Sequence, residues 1–302
     1  MAAPRRDTRG IRRDTRGIVD PAELLSRVRF RRREPAPPLR PYLEHYWLID
    51  WDLPQPYASH VVPHPSVNVV FQRFEGREPF GEVAGVGLGL FTQKLEGRGR
   101  VCGIQFRPGG FRPFAPEHAV TAWTGRRVRL TEASPTLPAP PTSPSSPASP
   151  APPAPPAPPE SISATILTPI LAPDDEDARV TALDAFLLTL APRPDPRVDL
   201  AMTLVDRIRT DRTIRHVGDF AQAQGMTVRA LQRLFAAYVG VGPKWIILRY
   251  RIHEALEHAE ASGPPDWATL AAELGYADQA HLVRDFTATV GVSPTGYARG
   301  LR

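Results

Sequence analysis

The sequence predicts an α+β chain, a β-rich domain followed by an all-α domain. Three observations carry this reading. Short apolar runs at period two lie between about residues 35 and 130, a proline-dense stretch follows them, and one helical pattern is repeated about fifty residues apart beyond residue 197. A length of 302 residues suffices for two hydrophobic cores. The expected divisions are an Arg-rich disordered arm over 1–20, a β-rich domain over 21–132, a Pro/Ala/Ser linker over 133–160, a connecting helical segment over 161–196 and the helical repeat domain over 197–302.

The arm holds one heptad twice without change, Arg5 through Ile11 and Arg12 through Ile18, with no apolar periodicity. In the β-rich region, Val67, Val69 and Phe71 alternate along one run and Cys102, Ile104 and Phe106 along another, so both read as half-buried strands. Arg107-Pro108-Gly109-Gly110 then supplies a turn, because Pro presets φ and Gly accepts positive φ. Between residues 134 and 159, 13 of 26 residues are Pro, and an extended polyproline-like spacer is expected. Beyond it Val180, Leu183, Leu187 and Leu190 recur at helical spacing until Pro192, giving a helix packed on its own domain or, alternatively, a dimerisation helix.

Charge alone does not assign a partner. The chain carries +5 with a pI near 9.7, but residues 1–33 hold 11 Arg against 4 acidic residues, so everything after them is mildly acidic. One cysteine, Cys102, excludes an intrachain disulfide and fits a reducing compartment. No apolar run approaches the ~20 residues of a membrane span, and the N-terminus lacks the apolar core of a signal peptide. A soluble cytoplasmic protein is expected, associated with the nucleoid if the helical domain binds DNA.

The repeat carries the functional reading. Phe220-Ala221 aligns with Leu270-Ala271 and Gly225 with Gly275; after one extra residue in the second turn, Leu231, Arg233 and Phe235 align with Leu282, Arg284 and Phe286, and Gly240 with Gly291. Each copy has the grammar of a helix-turn-helix: a short helix with Ala at the close approach, a turn Gly, an N-cap and a second helix. Thr227 is the expected cap of the first reading helix and Asp278 of the second. Burying Leu231, Leu234 and Phe235 leaves Val228, Arg229, Gln232 and Arg233 facing outward; burying Leu282 and Phe286 leaves Gln279, Ala280, His281, Val283 and Arg284. Arg can bond guanine O6/N7 in pairs and Gln can do so with adenine N6/N7, which suits major-groove reading; an ordinary solvated face is the bland alternative for either helix alone. From Pro243 to about Ala261 runs a connector of 19 residues before Gly263-Pro264-Pro265. At ~1.5 Å per residue it is ~28 Å long, close to the ~34 Å of one DNA turn.

Two stretches, MTVRALQRLFAAYVGVGPKWIILRYRIHEAL and LAAELGYADQAHLVRDFTATVGVSPTGYAR, resemble the DNA-binding domain of the AraC/XylS family over residues 200 to 302. This chain has Gly242 where the family commonly has Ser before the connector Pro, and Ala280 and Leu282 where a Ser and an aromatic often open the second reading helix. The stretches YLEHYWLIDWDLP, VVPHPSVNVVFQ and VCGIQFRPGGF resemble the β-rich domain that precedes this module in some AraC-type regulators. The resemblance implies a cupin-like sensor or dimerisation domain and a transcription activator rather than a repressor. Its expected partners are double-stranded promoter DNA, RNA polymerase, a small-molecule effector and a second copy of the chain. No enzymatic activity, cofactor or metal is expected; a cupin-type metal enzyme with a DNA-binding tail is the alternative.

Four further features have competing readings. His60 and His64 lack a His-x-His pair or a carboxylate partner, which favours structural or surface roles over metal binding. Gly85, Gly87 and Gly89 lack the spacing of a dinucleotide fingerprint and read as strand or turn. Cys102, with Arg107 the nearest cation in sequence, reads as a buried apolar group rather than a redox sensor. Trp47, Trp51, Tyr57 and Phe71 read as core, with an effector-pocket wall as the alternative.

Overall fold

The computed structural model describes residues 17–130, 164–260 and 266–300. The heptad repeat up to residue 16, the proline-dense stretch and the Gly263-Pro264-Pro265 break lie outside the described residues. Ile18–Val19, within the stretch expected as a disordered arm over 1–20, forms a strand (β1) paired with residues 60–61.

A helix, α1 (Pro21–Arg27), leads into β2 (Val28–Arg33), β3 (Leu43–Val61), β4 (Asn68–Phe74), β5 (Phe80–Ala84), β6 (Phe91–Phe106) and β7 (Arg127–Arg129). All pairings are antiparallel and the order is β1-β3-β6-β4-β5-β7, with β2 also on β3. The long β3·β6 ribbon loses register between Leu53 and Tyr57. Pro54 and Pro56 fall in that interval, and prolines cannot donate to a ladder, so the irregularity sits where the sequence demands one. At the turn after β6 Gly109 takes φ +95° and the Gly110 amide donates to the Arg107 carbonyl at 2.8 Å.

The period-two runs form strands, but strands covered on both faces rather than one. Tyr46, Leu48, Val69, Phe71, Cys102 and Ile104 face one way into the main core. They meet two helices, α2 (Ala164–Leu171) and α3 (Glu176–Thr189). Leu183 and Leu187 of α3 are fully buried there, and Phe186 packs edge-on against Phe71 at 5.2 Å. The helical stripe is therefore spent inside the protein and is not a free dimerisation face. Ion pairs lock α3 to the sheet, and the carbonyls of Leu171 and Ile170 at the end of α2 accept from Arg100 and Cys102. The Arg179 guanidinium, 1% exposed, donates to both Asp50 oxygens at 3.1–3.2 Å, Arg100 pairs with the same carboxylate, and Tyr46 Oη donates to Asp184 at 2.8 Å. Removing one partner of such a buried pair costs about 3–5 kcal/mol, because the other charge is left desolvated.

The opposite sheet face curls around a cavity. Beyond α3 the chain is helical: α4 (Pro196–Thr210), α5 (Val217–Ala223), α6 (Val228–Tyr238), α7 (Pro243–Glu260), α8 (Trp267–Glu273), α9 (Gln279–Val290) and α10 (Pro294–Gly300). None of the described helices is long and apolar enough to cross a membrane.

Candidate functional site

The two repeats build the same corner from the same bonds. In the first, α5 ends at Gly225 (φ +64°), and the Met226 amide donates back to the Ala221 carbonyl at 2.9 Å. In the second, α8 ends at Gly275 (φ +73°), and the Tyr276 amide donates to Ala271 at the same 2.9 Å. Glycine is required at both corners because an L side chain is disfavoured at positive φ. Thr227 Oγ1 accepts the Ala230 amide at 3.1 Å, and Asp278 Oδ1 accepts the His281 amide at 2.7 Å, so each reading helix has a side-chain cap. Ala277 is the extra residue of the second turn.

Beyond the caps, Leu231, Leu234 and Phe235 of α6 are buried, while Val228, Arg229, Gln232 and Arg233 are exposed. In α9, Leu282 and Phe286 are fully buried and Gln279, Ala280 and Arg284 are exposed. His281 and Val283 are half-buried. The His281 ring meets Tyr276 edge-on at 5.1 Å and its Nε2 is 3.7 Å from Asp285 Oδ2, so this side chain is partly engaged within its own unit. Sequence reasoning missed Arg251 on α7. It donates to the Gly275 carbonyl at 3.4 Å and the Arg215 carbonyl at 3.5 Å, tying the connector to the threshold of both units.

The connector also rests on the β domain. Arg249, 4% exposed, donates to the Leu88 carbonyl at 2.9 Å and lies over the Trp245 ring at 4.4 Å; burial pushes its pKa down to about 10. Beside it the His253 and His64 rings lie 4.6 Å apart. Thr124 Oγ1 donates to the Gly240 carbonyl at 2.7 Å and Arg112 to the Ala237 carbonyl at 3.0 Å.

The cavity in the β domain measures about 240 Å³. Trp47 and Trp51 line it, whereas Phe71 faces the opposite core and Tyr57 lies outside the wall beneath Arg27 at 4.9 Å. The four aromatics thus divide between the two readings. His64 lines the cavity but His60 does not; its Nδ1 is bonded to Thr92 Oγ1 at 2.9 Å, so the two histidines do not form one site. Gly85 and Gly87 sit in the loop after β5, Gly85 so close to Trp123 that a Cβ would stand 1.8 Å from its carbonyl oxygen. Cys102 is buried, its thiol donating to the Ile170 carbonyl at 3.5 Å and pushed up to about 11 by burial. The cations nearest it in the fold are Arg179 and Arg100, not Arg107. Among the described residues no group of three His, Cys, Asp or Glu side chains is placed to hold a metal.

Residues 220–300 match the profile of a helix-turn-helix domain. The chain thus carries a DNA-binding helix-turn-helix domain at these residues. Residues 31–129 match a domain of unknown function, DUF6597. No curated protein matches the chain in sequence. Among solved structures it is similar to ToxT from Vibrio cholerae, at 8% identity and a TM-score of 0.40 over 84% of this chain and 97% of that one. ToxT bound to an unsaturated fatty acid gives 11% and 0.41 over 84% and 94%. ToxT bound to (E)-4-(8-methylnaphthalen-1-yl)but-3-enoic acid gives 9% and 0.42 over 90% and 99%.

Proposed function

We propose that α6 and α9 enter successive major grooves on one side of promoter DNA and that the β domain adjusts this binding in response to a small molecule. The single observation that carries the reading is the pair of capped, polar-faced helices built on one corner geometry and separated by one connector. That connector has 18 residues, which at ~1.5 Å per residue is ~27 Å, within reach of the ~34 Å that separates successive grooves.

In this reading Arg229, Gln232 and Arg233 meet base edges or phosphates in one groove, and Gln279, His281 and Arg284 do so in the next. Val228 can touch a thymine methyl, while Thr227 and Asp278 cap the helix N-termini that approach the backbone. The regulator acts without catalysis in the cytoplasm on the nucleoid, activates transcription by contacting RNA polymerase, and pairs with a second copy of itself. The domain divisions given above follow this division of labour.

Selection of binding sites from random duplex DNA with the full chain, followed by footprinting, tests the reading. Two protected patches one helical turn apart are expected. Arg233→Ala and Arg284→Ala should each weaken the selected site by ~1–3 kcal/mol and relax base preference in different patches. A selection that yields no defined site, or two variants that bind as tightly as the parent, would overturn it.

A further inference from the structure

We propose that the β-domain cavity binds an uncharged, flat aromatic molecule, its ring system along Trp47 and Trp51 and one hydrogen-bonding oxygen at Ser66. The inference rests on the sensing reading above and names the ligand class that reading leaves open.

The aromatic floor comes from strand register. Trp47 and Trp51 stand four apart on β3, opposite Gly103 and Gly99 of β6, and both line the cavity. A Cβ at Gly103 would fall 1.9 Å from the Trp47 ring, and one at Gly99 would fall 2.0 Å from the Trp51 ring. Each indole therefore crosses directly over a glycine, through space that a side chain would close. The polar edges of the rings are tied down as well. Trp47 Nε1 donates to Asn68 Oδ1 and Trp51 Nε1 to the Glu96 carbonyl, each at 3.3 Å. Rings fixed in this way before a ligand arrives have little freedom left to lose on binding. Val70, Leu95 and Val101 continue the wall in apolar atoms. Aromatic rings gain from offset or edge-to-face contact with such surfaces beyond the area they bury. A cavity of about 150 Å³ holds a benzene, so about 240 Å³ suits a substituted single ring or a fused pair.

The polar contact is Ser66. It lines the cavity, is 2% exposed, and its hydroxyl finds no hydrogen-bond partner among the described residues. Buried hydroxyls are seldom left so, and a ligand hydroxyl or carbonyl would complete it. Its neighbour Asn68 is occupied, accepting from Trp47 and donating to the Ser66 carbonyl at 3.5 Å, which sets Ser66 beside the Trp47 end of the floor. The rest of the wall argues against a charge on the ligand. It contains no Asp or Glu, and both of its arginines are engaged. Arg127 donates to Glu82 at 2.6 Å, while Arg32 lies over the Phe30 ring at 5.8 Å and has a further interaction. His45 is kept neutral, its pKa brought down to about 3 by burial and by Arg32. An anion would have to draw an arginine from its present contacts, and a cation would be buried beside like charge. Desolvating an unpaired charge costs far more than desolvating a hydroxyl that gains a bond.

The test uses the full chain with its tryptophans replaced by 5-fluorotryptophan. Trp47→Leu and Trp51→Leu assign the two fluorine signals, and the probes are 2-naphthol, naphthalene, octan-1-ol and 2-naphthoate. 2-Naphthol is expected to move the Trp47 and Trp51 signals without moving that of Trp267, and to bind about tenfold tighter than octan-1-ol or 2-naphthoate. Ser66→Ala should lower the affinity for 2-naphthol relative to that for naphthalene by about threefold or more. Trp47→Leu should bring 2-naphthol down to the affinity of octan-1-ol. Far-UV circular dichroism checks that each variant is folded. Octan-1-ol binding the parent as tightly as 2-naphthol would overturn the aromatic class, and 2-naphthoate binding as tightly would overturn the absence of charge. An unchanged ratio in Ser66→Ala would overturn the polar contact. 2-Naphthol binding that leaves the DNA affinity of the same preparation unaltered would uphold this site and overturn the sensing reading. Failure of all four up to their solubility limits, with the DNA footprint intact, would overturn both.

Discussion

Phe235 of the first helix-turn-helix unit packs into the same core as Phe111 and Trp123 of the β domain, whereas its counterpart Phe286 packs against Trp267 at 6.1 Å and Tyr297 at 5.8 Å, inside its own unit. The two copies thus share caps, corner glycines and buried stripes but not surroundings. The first is structurally a part of the β domain. The second has a separate core, built on the far half of α7, that reaches the β domain through Val62, with Val19 and Leu90 packed against it. Val62 also lines the cavity, so one side chain is shared between the cavity wall and the core of the second unit. Local sequence grammar defines what each unit is; long-range packing defines which cooperative block it melts with.

The largest effects should separate the blocks most clearly. Both phenylalanines are fully buried, and truncation of either to Ala should cost ~3–5 kcal/mol. Phe235→Ala should also raise hydrogen exchange in the β domain around residues 111–123, where Phe286→Ala should raise it only in residues 267–300. Equal loosening of the β domain by the two variants would erase the distinction.

Acid offers a second means of separation. The His45 imidazole, 8% exposed, is held neutral by burial, with Arg32 adding to the effect, down to about pH 3, while in an unfolded chain it takes up a proton near pH 6.5. Between those limits the unfolded state binds more protons, so stability is lost as pH falls through that window, by up to about 1.4 kcal/mol per pH unit. The first unit should weaken with the β domain and the second should not follow at the same slope. His45→Gln should flatten this loss in urea melts taken from pH 6.5 to pH 4, and an unchanged slope would remove His45 as its cause.

Corner glycines after the reading helices sharpen the same contrast. Gly240 (φ +93°) and Gly291 (φ +84°) both occupy the left-handed region, where a side chain costs ~1–2 kcal/mol. A Cβ at Gly240 would also press on Thr124 Oγ1 at 2.9 Å and Val120 Cγ1 at 3.0 Å, whereas at Gly291 it would meet only a Leu90 methyl at 3.4 Å. Gly240→Ala should therefore cost ~1–3 kcal/mol more than Gly291→Ala in equilibrium unfolding.

Much of this architecture is legible along the chain because it depends on neighbours. Thr227, Asp278, Gly225 and Gly275 act through backbone groups a few residues away, and Val69, Phe71 and Ile104 declare one strand face by alternation. What escaped depends on register and closure. That Val70, Gln72 and Gln105 are covered as well follows from the curl of the sheet, and that Gly99 and Gly103 receive Trp51 and Trp47 follows from a pairing between segments some fifty residues apart. Arg179 reaches Asp50 across 129 residues, and this is why the nearest cation in sequence to Cys102 was not the nearest in the fold.

The smallest expected effects are at the caps, and here the two units differ in charge rather than in packing. Thr227→Ala and Asp278→Ala each remove one bond to an amide and should each destabilise their helix by ~1 kcal/mol. Asp278 does something further: its carboxylate favours the positive end of α9, yet in the proposed complex it would face phosphate. The uncharged Asp278→Asn variant keeps a side-chain acceptor and should hold most of the helix stability while tightening DNA binding at low salt, with the gain shrinking as salt rises. Thr227→Asn should leave DNA affinity nearly unchanged at either salt. If Asp278→Asn weakens DNA binding as much as Asp278→Ala does, then the carboxylate itself contributes to recognition and the second unit approaches DNA by a different edge of α9 from the one its exposed Gln279 and Arg284 define.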